Sequence, residues 1–292
     1  MMINLDKPIG HGHSGHSTPC PYAAMRSALL FVLLLLAPIL VAHAETQAIV
    51  FQSTETPPFW DPALPNNGVG GSMLRLMSEA AGIPYSINYL PVKRFRTSEA
   101  SFIVGDPDII SSKTQRAVIP IGLFRLAFFY YKPHHPLMNF HGMRALRGNT
   151  MGVLRGTLED KQIFLRNGIK VEESDSNESL LRKLKRQRLD FCIMVAGAGR
   201  YAIKKEFANE TENFVEYIIP NSQRPIAIMI DTSQSQGKAM AKRYRDVLAT
   251  TARSPAYAEI LEGHYGKNNV RDTYLSELFS FVKSYDGTSV GQ

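Results

Sequence analysis

Residues 106–116 read Asp106-Pro107-Asp108-Ile109-Ile110-Ser111-Ser112-Lys113-Thr114-Gln115-Arg116. Asp-Pro marks a turn, because proline fixes φ and pushes its predecessor away from helix. Ile109-Ile110 then predicts a short buried strand, too brief for a helix between such neighbours. Ser111, Ser112 and Thr114 fall where that strand ends, which in an open α/β sheet is where ligands bind. Arg116 adds a planar fork of donors matched to a carboxylate. The alternative is a surface strand end with a solvated arginine, and the rest of the chain decides between the two.

Upstream, Gln47–Phe51 predicts a central strand. The loop Glu55-Thr56-Pro57-Pro58-Phe59-Trp60-Asp61-Pro62 follows, with three prolines and the single tryptophan. Loops on rigid scaffolds commonly carry binding groups, so Phe59 or Trp60 either faces a ligand or plugs the first sheet. Met73, Leu76, Met77 and Ala80 lie at helical spacing, predicting a helix over 72–81 capped by Gly82. Tyr85, Ile87 and Tyr89 alternate with polar residues as a strand does. A short helix over 92–100 leads back to the Asp106 turn. Strand–helix–strand–helix–strand is the order of an α/β lobe.

Downstream, Leu126–Tyr131 predicts a strongly apolar strand. A second series begins with strand Met151–Leu154, then Arg155-Gly156-Thr157, then a helix over 158–167 ending at Gly168. Thr157 is then either an anion-binding helix start or an ordinary N-cap. Ser176 caps a further helix whose basic face (Arg182, Lys183, Lys185, Arg186, Arg188) is that of a solvated surface. Strand Leu189–Val195 runs into Ala196-Gly197-Ala198-Gly199, too little of a motif to make a phosphate loop. Pro225–Ile230 predicts another strand, and three helices finish the chain. The second of them starts at Ser254-Pro255, and the third runs over 273–283.

Of 292 residues, 44% are hydrophobic and 20% charged, which places the chain among globular proteins rather than disordered ones. Met25-Arg26, the apolar run 28–41 and Ala42-His43-Ala44 have the order of a secretory signal, cleaved after Ala44. Pro38 and the shortness of the run argue against a membrane span. Met1–Ala24, with His11, His13 and His16, is assigned no function: either translation starts at Met25 or this leader leaves with the signal. The formal charge is +7. Acids and bases are interspersed without a long basic arm, which argues against nucleic acid. Cys192 is the one cysteine after the signal, so no internal disulfide is possible. Its apolar setting is that of a small buried hydrophobe. No metal-ligand spacing occurs, and no cofactor is expected.

In their order, these segments resemble the family 3 solute-binding proteins, the polar amino-acid-type periplasmic receptors. The resemblance rests on Pro57-Pro58-Phe59 after the first strand, on Tyr89-Leu90-Pro91-Val92-Lys93-Arg94, and on Ser111–Arg116. It rests also on Leu146-Arg147-Gly148 with Met151–Thr157, on Arg188-Leu189-Asp190, and on Ala256–Leu261. It implies an α/β fold of two lobes, each a mixed, mostly parallel sheet flanked by helices, with a ligand cleft between them. The first lobe takes 45–131, the second 132–225, and 226–292 return to the first. By this resemblance Arg116 takes a ligand carboxylate, assisted by Ser111, Ser112 and Thr114, with Thr157 reaching the same group from the second lobe. Phe59 or Trp60 covers the apolar part, and Arg94, Arg155 and Gly156 complete the expected ligand set.

Two steps depart from the family pattern. Thr114-Gln115-Arg116 is one residue shorter than the usual Thr-x-x-Arg. The region after Asp190 also lacks the acid that holds a ligand ammonium, which disfavours an ordinary α-amino acid unless Asp61 supplies the charge. The implied function is capture of a small polar or anionic solute, amino-acid-like or carboxylate-bearing, by lobe closure in the periplasm. No catalysis is expected, and the partner is an inner-membrane ABC-type transporter or a sensor, served by a monomer. Two alternatives use the same scaffold. One is a periplasmic dehydratase with His134-His135 as acid and base. The other is an envelope interaction protein whose cleft has decayed.

Overall fold

The computed structural model describes residues 48–158, 160–267 and 269–286. The leader, the signal segment and its cleavage site lie outside the described residues. None of the helices described is long and apolar enough to cross a membrane.

Strand β1 (Ile49–Ser53) is followed by helix α1 (Gly68–Ala81), β2 (Tyr85–Tyr89), α2 (Val92–Arg96) and β3 (Phe102–Gly105). Both β2 and β3 pair with β1 in parallel. Helix α1 starts four residues earlier than its apolar spacing suggests and ends on Gly82, whose φ of 61° closes the cap without strain. The strand expected at Ile109-Ile110 is a 3-10 turn, Pro107–Ile109, instead. Proline occupies its first position, and the Asp106 carboxylate accepts from the Asp108 N–H at 3.0 Å. The true strand is β3, just before it, where Ile103 and Val104 are fully buried. Three apolar residues ending in glycine carry too little periodicity to announce themselves.

Strand β4 (Arg116–Tyr131) is 16 residues long and starts ten residues before the apolar run that predicts it. After it come β5 (Thr150–Leu154), α3 (Gln162–Arg166), β6 (Lys170–Ser174), α4 (Asn177–Lys185), β7 (Phe191–Val195) and α5 (Ala196–Glu206). The sheet closes with β8 (Phe214–Asp231), followed by α6 (Ser235–Ala252), α7 (Pro255–Tyr265) and α8 (Tyr274–Asp286). Spatial order is β2-β1-β3-β8-β4-β7-β5-β6. Two long antiparallel strands, β4 and β8, are therefore paired from Arg116–Asp231 to Tyr131–Phe214.

Two irregularities interrupt that ladder. At the first, three tyrosines of the C-terminal helices take up the backbone groups of β4. Tyr257 Oη donates to the Ile121 carbonyl at 2.8 Å, Tyr265 Oη donates to the Leu123 carbonyl at 3.0 Å, and Tyr274 Oη accepts from the Leu123 N–H at 2.9 Å. At the second, β8 loops out over 219–222 opposite Leu126. Asn221 adopts φ of 55° there, and the Ser222 hydroxyl bonds both the N–H and the carbonyl of Leu126. The core changes hands at this point. Leu123 and Phe124 belong to a cluster with Phe51, Met77, Tyr244 and Tyr257. Ala127 and Phe129 pack with Leu180, Leu184 and Met194, and Tyr130 with Met151, Val153 and Phe191. Residues 127–131, expected in the first lobe, thus pack in the second.

Helix α5 was not foreseen, because Gly197 and Gly199 suggest a turn. The glycines serve close packing: a Cβ on Gly199 would lie 2.3 Å from the Phe129 ring, and one on Gly197 would lie 3.0 Å from His264 and Phe59. Helix α4 starts as expected, with Ser176 Oγ accepting from the Ser179 N–H at 3.1 Å. Ser176→Ala should cost about 1 kcal/mol, read as a lower urea midpoint with an unchanged slope.

Candidate functional site

A cavity of about 450 Å³ lies between the two core regions, a size that suits a small organic molecule. One wall comes from the first half: Thr54 and Thr56 beyond β1, Phe59 and Trp60, Phe95 of α2, and Asp106, Asp108 and Ile109. The opposite wall comes from Leu154, Thr157, Leu158, Asp160, Asn177 and the end of β7, Ile193–Val195. Phe124, Leu126, Arg224 and Ile226 of the two long strands form the floor. Across the rim, Arg96 Nη1 donates to the Gly156 carbonyl at 2.9 Å.

Four carriers of charge line this mostly apolar space: Asp106, Asp108, Asp160 and Arg224. Arg224 and Asp108 form an ion pair with each other. Asp106 is partly buried and, among the described residues, lacks such a partner. Desolvation pushes its carboxyl up to about 7, against the pull of Arg224. Asp160 is exposed and lies 3.9 Å from Arg166, so among the described residues Asp106 is the lining's unpaired carboxyl, and apolar rings on both sides amplify whatever charge a ligand brings.

The clamp expected around Arg116 is not in this cavity. Arg116 is 8% exposed, and its guanidinium donates to the Ser98 and Ala100 carbonyls at 3.1 and 3.0 Å and to Ser112 Oγ at 2.9 Å. Its donors serve the loop between α2 and β3 rather than a solute. Ser112 Oγ reaches Glu99 at 2.8 Å, and Thr114 Oγ1 donates to the same carboxylate. These two bonds, the Thr114 one first, hold Glu99 below the usual carboxylate range. Ser111 Oγ donates to the Arg96 carbonyl at 3.1 Å. With the strand replaced by a 3-10 turn, the hydroxyls fall past the cleft while Asp106 and Asp108 turn into it.

Of the remaining expected residues, Phe59 and Trp60 both line the cavity and both are 4% exposed, so they form part of its wall and plug the first core at once. Thr157 lines it too, but its hydroxyl donates to the Leu154 carbonyl at 2.7 Å. The helix expected to begin at 158 begins at Gln162, so Thr157 stands at no helix terminus. Gly156 meets the first half through its carbonyl, which accepts from Arg96 Nη1. Arg155 points to Glu173 and Asp175, and Arg94 is exposed on α2. His135, the residue a dehydratase would need, pairs with Asp190 at 3.0 Å, and neither it nor His134 lines the cavity. Asp106, Asp108, Asp160, Asn177 and Arg224 were missed. The first two lie in the opening stretch itself, as turn residues.

No family model matches the chain, and no curated protein matches it. Solved structures do. The ligand-binding core of GluR0 in complex with L-glutamate superposes with a TM-score of 0.57 at 14% identity, over 75% of this chain and 98% of that one. A histidine kinase sensor domain with similarity to periplasmic binding proteins gives 0.59 at 16%, over 75% and 96%. An arginine third transport system periplasmic binding protein from Legionella pneumophila gives 0.55 at 13%, over 75% and 99%. At such identities the likeness establishes architecture: this chain has the two-lobed fold of the periplasmic binding proteins.

Proposed function

We propose that this chain is a periplasmic solute receptor that closes its two lobes over a small molecule and presents it to a membrane transporter or a sensor. One observation carries the reading: an apolar cavity walled by both halves, floored by the two strands that join them. A molecule held there touches both walls only when they approach, so binding energy is differential between open and closed forms. The lobes exchange at Leu126 and 219–222, where the ladder is already broken and rotation disturbs least pairing. The protein works as a monomer and without catalysis.

The charge of the cleft narrows the solute. With the Arg116 clamp spent elsewhere, the anionic ligand gives way to one with an apolar flank and an amine or guanidine. That cation faces Asp106 and Asp160, while Arg224 is free to trade Asp108 for any carboxylate the ligand carries. Titration calorimetry with amines and guanidines against dicarboxylates of equal size tests this. Saturable heat is expected in the cationic arm, with small-angle scattering showing contraction on saturation. Binding confined to the dicarboxylates would reverse the charge assignment, and no saturable binding by folded protein would remove the receptor function.

A further inference from the structure

Behind the cleft, a second cavity of about 200 Å³ lies on the other side of the two long strands. Phe59 and Phe124, with ring centroids 6.3 Å apart, contribute to both cavities and stand between them. Its polar lining has one sign. Arg125, Arg200, Arg271 and His264 face it, and among the described residues no carboxylate side chain does. Arg200 Nη1 reaches both oxygens of Glu216, and Arg271 makes a two-point pair with Glu277 at 2.6 and 2.7 Å. Arg125 has no such carboxylate among the described residues. Its Nε is buried without a hydrogen-bond partner, and so is Nε2 of His264.

Orphaned buried polar groups of this kind are uncommon and call for a partner. Burial first, and Arg271 second, lower the basicity of Arg125. Burial and then Arg200 push His264 down to about 4, so its ring is neutral at neutral pH. The uncapped start of α5 adds Ala196 and Gly197 to the same lining, bringing backbone amides and the positive end of the helix dipole.

We propose that this rear cavity binds a small inorganic oxyanion, of the phosphate or sulfate class, on Arg125, Arg271, Arg200 and His264. A tetrahedral anion suits the forked donors of arginine and the volume on offer. Arg200 belongs to α5 in the second lobe, whereas His264 and Arg271 belong to the C-terminal segments packed on the first. An anion shared between them ties the lobes together beside the break at Leu126. It acts as a brace on the hinge rather than as the transported solute, and it does not depend on what the front cleft binds.

Thermal-shift and calorimetric titrations with sodium phosphate and sodium sulfate, against chloride at matched ionic strength, test the assignment. Saturable stabilisation by the two oxyanions and not by chloride is expected. Arg125→Met should weaken it by about tenfold or more, while Arg125→Lys retains part. The His264 imidazole resonances should move with the same saturation curve. Equal stabilisation by chloride, or an undiminished response in Arg125→Met, overturns the proposal. Should that variant fail to fold, unmoved His264 resonances in the native protein overturn it alone.

Discussion

Replacing Asp106 by asparagine should stabilise the protein at alkaline pH and remove much of the pH dependence of its folding. The sign follows from burial. An aspartate at 3.8 when unfolded rises to about 7 in the cleft, so the folded chain holds a proton that the unfolded chain has released. Stability from this group is fully present below its unfolded value and is lost as pH climbs through about 7. Between pH 4 and pH 8 the native protein should lose on the order of 2–4 kcal/mol, which the Asp106→Asn variant keeps. Ligand binding should run the opposite way. A cation favours the ionised carboxylate, so affinity rises through neutrality, and capture expels a proton that calorimetry detects as a buffer-dependent heat. The variant should bind about tenfold or more weakly, with a flat profile. A native-like slope in both measurements would mean that Asp106 is neither buried nor at the ligand.

Arg116→Met should unfold the protein more readily yet leave solute affinity within about threefold. Three donors of this guanidinium end on the Ser98 and Ala100 carbonyls and Ser112 Oγ, and methionine satisfies none of them. Stranding buried acceptors and releasing the loop they pin should cost about 2–4 kcal/mol. Urea denaturation reads the first effect and calorimetry on the same preparation the second. The opposite pattern, intact stability with lost affinity, would return Arg116 to the ligand.

Architecture was the more legible half of this sequence. Tyr85–Tyr89 alternates cleanly, Ser254-Pro255 announces a helix, and the order of segments carries two α/β lobes. Each of these signals is local, which is why a single chain shows it. The site was less legible. Two of its three carboxylates, Asp106 and Asp108, sit in a turn pinned by a side-chain hydrogen bond from the Asp108 N–H to Asp106. Whether the following residues continue as strand or curl into a 3-10 turn decides which side chains face the cleft, and two isoleucines do not distinguish those outcomes. Arg116 misled for a related reason. A buried arginine serving carbonyls and one reaching for a solute have the same residue type and the same neighbours in sequence. Helix α5 was hidden because its glycines answer to Phe129 and His264, contacts remote along the chain.

The pairing of β4 with β8 has a consequence for how the molecule is made. Residues 132–213 are in effect an insertion within one long hairpin, and β8, the strand shared by both halves, follows every other described strand and precedes three helices of the first half. A nascent chain halted before residue 214 has neither core finished, so it stays soft, threadable and open to proteases until β8 and the helices after it arrive. Fragments ending there should give broad, poorly dispersed spectra, and order should return to both halves only when the chain extends through β8 and the helices that carry Tyr244, Tyr257 and Leu278 of the first core.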